Sequence, residues 1–315
     1  MKRPCIITFH NAINEGAILQ CVCLSKLIET HLGVKPWVLD YESPQRKPAY
    51  AAHPYRKQFL DFVASHVDLS PHFDDDKKAA EWVNNEASVA IFGSDEIWKW
   101  LVGPGDPRYY ATPPNIYLGH RINIKKAAYA VSIGCSDAAR SPSCVRELIG
   151  NFDLISVRDY KTRDFVNSFA RTETVLPDPV FGVDFAEAFP GSVEAVAAKI
   201  DRNKVFLADP YFFPAAKCSP DQIMKTGMLI PSEWAAVHGM ARLVVTDRFH
   251  GTVMCMKSGT PCRIVNPRNK INELLGYVGV KSHNVTSWPE KSFEYVADAS
   301  RVHEDFIKTK LAQLL

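Results

Sequence analysis

No stretch of this sequence supplies the roughly 20 consecutive apolar residues of a membrane helix. The basic start is followed by an apolar run of only residues 5–9. That is too short for a secretory signal, so the expected location is cytoplasmic. The eight cysteines include no C-x-x-C pair, and Cys21 and Cys23 stand too close together for structural zinc. They read as small buried apolar residues, and no metal site is expected. A formal charge of +2 over 315 residues, without a Lys/Arg stripe interleaved with aromatics, argues against a nucleic-acid surface. The G-x-G-x-x-G dinucleotide fingerprint and the P-loop are both missing. There is no low-complexity tract and no internal repeat at the sequence level.

What the chain does have is alternation of short apolar runs with helical periodicity. Residues 4–9 read as a strand. Ala17, Cys21, Leu24, Ile28 and Leu32 then recur at steps of three and four, a helical stripe that Gly33 stops before a strand at 37–39. Further strands are expected at 87–92, 126–133, 152–156 and 175–176, with a helix at 55–67 and one of about ten residues after Asp159. Past the prolines of 177–190 a second unit follows. It has strands at 205–208, 243–246 and 262–265 and helices at 231–240, 251–257, 271–275 and 301–315. Strand–helix alternation implies parallel sheets. The expected fold is α/β: two Rossmann-like domains with parallel sheets, residues 1–182 and the smaller 183–290, and 291–315 as a helix packing back.

Three turns at carboxyl ends of strands carry the candidate chemistry, because ligands of open α/β sheets bind there. The first, H-N-A-I-N-E-G, would hold a ligand through Asn11, Asn14, Glu15 and backbone near Gly16. The second is Gly93-Ser94-Asp95. Ser94 or Asp95 could simply cap a helix at 96–100. Alternatively, the Asp95 carboxylate accepts from a sugar hydroxyl or acts as a base. The third carries Asp247, Arg248, Phe249 and His250 before a helix. Unpaired N–H groups, a guanidinium and an imidazole together suit a phosphate or carboxylate. The plainer readings are a solvated Arg248, a satisfied His250, and caps or turn formers at Asn11, Asn14, Ser94 and Asp95.

In order along the chain stand N-E-G-A-I-L-Q (14–20), F-G-S-D-E-I-W (92–98), A-Y-A-V-S-I-G (128–134), I-S-V-R-D (155–159), L-P-D-P (176–179), T-D-R-F-H-G-T (246–252) and N-K-I-N-E-L-L (269–275). Together these resemble the polysaccharide pyruvyl transferase family, over residues 5–280. The resemblance implies a fold like that of GT-B glycosyltransferases, the two domains facing a cleft that holds the active site, with 1–182 the acceptor side and 183–290 the donor side. It implies transfer of a pyruvyl unit from phosphoenolpyruvate to two hydroxyls of a sugar, free or lipid-linked, giving a ketal. A lipid-linked acceptor would bring the protein to the inner face of the membrane. It further implies His250 as an essential group, with Arg248, Arg158, Gly251 and Thr252 on the donor side. Asp95 is then the candidate acceptor base, and Asn11, Asn14, Glu15 and Ser94 lie on the acceptor side. Phosphoenolpyruvate is a co-substrate, and no cofactor is expected. The chain departs from the family pattern with Glu15 where an aromatic residue is common, Glu96 where glutamine is common, and an apparently short segment at 208–228. The rival readings are a GT-B glycosyltransferase using a nucleotide sugar and a non-catalytic carbohydrate- or phosphate-binding protein.

Overall fold

The chain folds around two sheets. The computed structural model describes residues 2–44, 51–100, 112–197, 205–207 and 229–315. The proline-bearing segment 208–228 and most of 103–117, whose prolines and aromatics predict a surface loop, lie outside the described residues. Strands β1 (Arg3–Ile7), β2 (Trp37–Val38), β3 (Asp68–Leu69), β4 (Ala87–Asp95), β5 (Lys126–Val131), β6 (Leu154–Val157) and β7 (Thr174–Val175) form a parallel sheet. Its order is β3-β2-β1-β4-β5-β6-β7. The second sheet, β11-β10-β9-β8, is built from β8 (Val205–Leu207), β9 (Leu243–Thr246), β10 (Cys262–Ile264) and β11 (Asn284–Val285). It is parallel except for the β10–β11 pair.

The helices are α1 (Glu15–Leu32), α2 (Arg56–His66), α3 (Asp76–Glu86), α4 (Ser143–Gly150), α5 (Tyr160–Asn167), α6 (Phe185–Ala188), α7 (Ser192–Ala197), α8 (Pro231–Met240), α9 (Phe249–Ser258), α10 (Asn269–Tyr277) and α11 (Glu290–Thr309). Among the described residues no helix is long and apolar enough to cross a membrane. The β1 and β4 runs are apolar on both faces because helices cover both sides of the first sheet. One buried cluster lies on the outer side of that sheet. The other runs from its α1 side into the second unit without interruption.

Helix α1 organises that junction. Every residue from Glu15 to Ser25 is buried, so the helix is enclosed on nearly all sides. It packs against β4, α8, the turn Pro179–Gly182 and α11. Asn14 caps it, Oδ1 accepting from the Ala17 N–H, and Gly33 ends it at φ 67°, the left-handed conformation suited to glycine. Helix α11 returns to the first sheet, where Phe306 packs edge-on to Tyr129.

Several expectations need correction. No helix forms at 96–100, and neither Ser94 nor Asp95 is a cap. Strand β4 continues to Asp95, paired with Val131, because Gln20 Oε1 accepts from both the N–H and the hydroxyl of Ser94. Helix α9 begins two residues before its expected start, placing His250 in its first turn. Helix α11 begins at Glu290, well before residue 301. Asp75, in the acidic run 74–76 that composition alone reads as a solvated loop, caps α3. Cys135 is exposed rather than buried.

Candidate active site

The carboxyl ends of β4, β6 and β7 and the amino ends of α1, α9 and α10 meet, and each brings a charged or titratable side chain. Asp178, just past β7, is the hub. Its Oδ1 accepts from Val180 N–H, holding the turn Pro179–Gly182. Its Oδ2 accepts from Arg158 Nη1 at 2.7 Å and lies 3.3 Å from His250 Nε2. The latter contact lacks hydrogen-bond alignment, so the His250 N–H is turned off the line to Asp178. Burial alone would raise the Asp178 pKa. His250, Arg158 and the Val180 amide outweigh burial and hold the carboxyl well below the ordinary carboxylate range.

Arg158 leaves β6 almost wholly buried. Its second amino group donates to Asp95 Oδ1 at 3.3 Å, and its guanidinium lies 5.1 Å from the Phe249 ring centroid. Burial opposes its charge, but Asp178, Asp95 and Glu96 more than restore it. Asp95 has φ 77°, a left-handed backbone uncommon outside glycine. Such conformations persist where surrounding structure enforces them, often at functional sites.

Two contacts tie the halves of the molecule together at this point. Arg248 Nη1 donates to the buried Glu15 Oε2 at 2.7 Å. Lys270 Nζ donates to Glu96 Oε1 at 2.9 Å, and Lys99 approaches the other oxygen. Lys270 and then Lys99 overcome the effect of burial and keep Glu96 well below its usual pKa. Gly16 is required by close approach: a Cβ there would stand 2.1 Å from His250 Nδ1. Gly251 is similarly confined, since a Cβ would meet Thr246 Oγ1 at 2.4 Å. That hydroxyl accepts from Arg248 N–H, and Thr252 donates back to the Arg248 carbonyl, which fixes the first turn of α9.

A third layer supports Asp178 from behind. Tyr129 Oη and His303 Nδ1 are 2.7 Å apart, and His303 Nε2 lies 3.3 Å from the Asp178 carbonyl oxygen. Only an N–H can serve a carbonyl, so His303 carries its proton on Nε2 and the tyrosine donates to Nδ1. Burial lowers the His303 pKa to about 4, which keeps the ring neutral in this role.

The sequence matches the profile of the family described as "Polysaccharide pyruvyl transferase" over residues 14–269. The chain belongs to this family. Solved structures share its fold at low identity. A UDP-GlcNAc 2-epimerase from Neisseria meningitidis matches at TM-score 0.55 and 9% identity, covering 99% of this chain and 100% of that one. A sucrose-phosphate synthase from Thermosynechococcus elongatus matches at TM-score 0.53 and 11% identity, covering 100% and 99%. Both likenesses concern architecture, the GT-B-like arrangement of two sheets. Among curated proteins no sequence matches.

In this member of the polysaccharide pyruvyl transferase family, Arg158, Asp95 and His250 gather around Asp178, while Arg248 is drawn to Glu15 at the start of α1. The remaining turn residues have protein partners: Asn11 donates to the Tyr41 carbonyl, Asn14 caps α1 and Ser94 is held by Gln20. Asp178 and Lys270 escaped the reading of isolated turns. Both stood in quoted motifs, L-P-D-P and N-K-I-N, whose charged residues could have been paired with Arg158 and Glu96. A cavity of about 290 Å³ opens beside this cluster, walled by Arg158, Asp178, Phe249, Lys270, Tyr277 and Tyr295 among others. His250 is not part of its wall and reaches it through Asp178.

Proposed function

We propose that this chain transfers a pyruvyl group from phosphoenolpyruvate to two hydroxyls of one sugar residue, forming a cyclic ketal. The observation that carries the reading is the meeting of Arg158 and His250 on one buried carboxylate, with Lys270 and Arg248 brought in from the second unit. A donor bearing a phosphate and a carboxylate needs at least two fixed cations. Guanidinium groups suit either oxyanion bidentately.

The chemistry balances without a further reactant. The vinyl methylene takes a proton and becomes a methyl group. Two sugar oxygens form bonds to the former enol carbon, and the carbon–oxygen bond to phosphate breaks. Of the two hydroxyl protons released, one replaces the proton used on the methylene and the other leaves on phosphate. His250 is the group that moves a proton, its ring fixed between Asp178 and Gly16. Asp95, on the same guanidinium as Asp178, is the candidate base for the acceptor.

Thermal unfolding in the presence of each donor tests this directly. Phosphoenolpyruvate should raise the melting temperature, since a ligand of the folded state alone stabilises by mass action. UDP-N-acetylglucosamine should leave it unchanged. The reverse pattern would replace the proposal with a nucleotide-sugar transferase.

A further inference from the structure

The cavity beside the catalytic cluster changes character with depth. Its inner wall carries the cations Arg158 and Lys270 with the Phe249 face between them, 5.1 and 5.3 Å from the two charges. Its outer wall carries aromatic rings and carboxylates. Tyr160 and Tyr277 are 44% and 48% exposed, unusual for rings of that size, and Tyr277 stands edge-on to Tyr295 at 5.2 Å. Glu273 and Glu294 line the same wall, and neither forms a salt bridge among the described residues.

Lys291 shares this wall, 5.2 Å from the Tyr277 ring centroid, but the two carboxylates, without salt bridges among the described residues, disfavour a second anionic ligand on their side of it. A neutral polyol is favoured there. Each carboxylate can accept from a pair of hydroxyls in charge-assisted bonds, and tyrosine faces can cover the C–H face of a sugar ring. The volume of about 290 Å³ is at the lower end of the roughly 300–1,000 Å³ of ligand pockets, room for one ring rather than an oligosaccharide.

We infer that this cavity is the acceptor subsite and takes a neutral hexopyranoside, its ring against Tyr277 and its hydroxyls on Glu273 and Glu294. The inference rests on the pyruvyl-transfer reading. It moves the acceptor away from the loop of Asn11 and Asn14 to the face made by α5, α10 and α11. A sugar so held has its inner hydroxyls directed at the cations that receive the donor. Burial raises the Glu273 pKa, with repulsion from Asp159 and Asp164 partly offset by Lys161, and this strengthens it as an acceptor of hydroxyl hydrogen bonds.

The test uses Tyr277→Ala and Glu273→Gln, both exposed positions that leave the core intact, with p-nitrophenyl galactoside, glucoside and mannoside as probes. Saturation-transfer NMR should detect at least one glycoside on the full-length wild-type protein, with the signal reduced in both variants. In the phosphate-release assay the acceptor KM should rise about ten- to a hundredfold, the worth of one charge-assisted hydrogen bond. The melting shift produced by phosphoenolpyruvate should stay at its wild-type size. Glycoside binding that is unchanged in both variants, or absent from the wild type, overturns the acceptor assignment. Loss of the phosphoenolpyruvate shift in the wild type strikes instead at the function proposed above.

Discussion

His250→Ala should retain the fold and the melting shift with phosphoenolpyruvate while turnover falls about 10²- to 10⁴-fold, the usual contribution of one general acid or base. The reasons are local. The imidazole occupies the space between Gly16 and Asp178, so no neighbouring group can take its place without moving α1. The donor cations are separate residues with their own carboxylate partners and survive the substitution. Loss of the side chain therefore removes proton transfer and leaves donor binding. Steady-state kinetics alongside thermal shift separate the two effects. Near-normal turnover would remove His250 from the mechanism, and loss of the donor shift would make it a binding group instead.

Asp178→Asn should be the more damaging change for stability. The amide keeps the shape and the cap on the turn Pro179–Gly182, but it leaves the buried Arg158 only the longer bond to Asp95 and the more distant charge of Glu96. Removing one member of a buried pair costs about 3–5 kcal/mol, because the remaining charge is left uncompensated. The midpoint of urea unfolding should fall accordingly, and turnover should fall as His250 loses the carboxylate beside its ring.

The acid limb gives an independent reading of the same substitution. The folded-state pKa of Asp178 is depressed, so at low pH the unfolded chain binds a proton that the folded chain does not. Its contribution to stability is therefore fully present above the unfolded carboxyl value of roughly 3.9 and is lost as pH falls below it. Asp178→Asn should flatten this part of the stability–pH curve. An Asn variant as stable as the wild type, with an unchanged acid limb, would contradict the geometry around Arg158.

Much of the fold could be read from periodicity, because the apolar stripe of α1, the apolar runs of β4 and β5 and the β-branched run of β9 are local signals. What could not be read depends on long-range partners. The 93–98 stretch has the composition of a strand followed by a capped helix. It stays extended because Gln20, more than seventy residues away in sequence, takes the donors of Ser94. His250 was recognisable as a candidate from residue type and turn position, and Arg158 only through the family resemblance of I-S-V-R-D. Their common partner Asp178 was not, since L-P-D-P alone reads as a turn. The Glu15–Arg248 and Glu96–Lys270 contacts join residues from separate sheets, and no spacing rule foretells such pairs. The aromatic and acidic wall of the cavity likewise comes from three helices distant in sequence.

Pyruvyl transfer itself is tested most directly by incubating the purified protein with phosphoenolpyruvate and the glycoside panel, with inorganic phosphate and product mass measured together. The account predicts phosphate release that depends on the glycoside, matched mole for mole by a glycoside heavier by one pyruvate ketal. Phosphate released without such a product, or a product formed only from a nucleotide sugar, would contradict it.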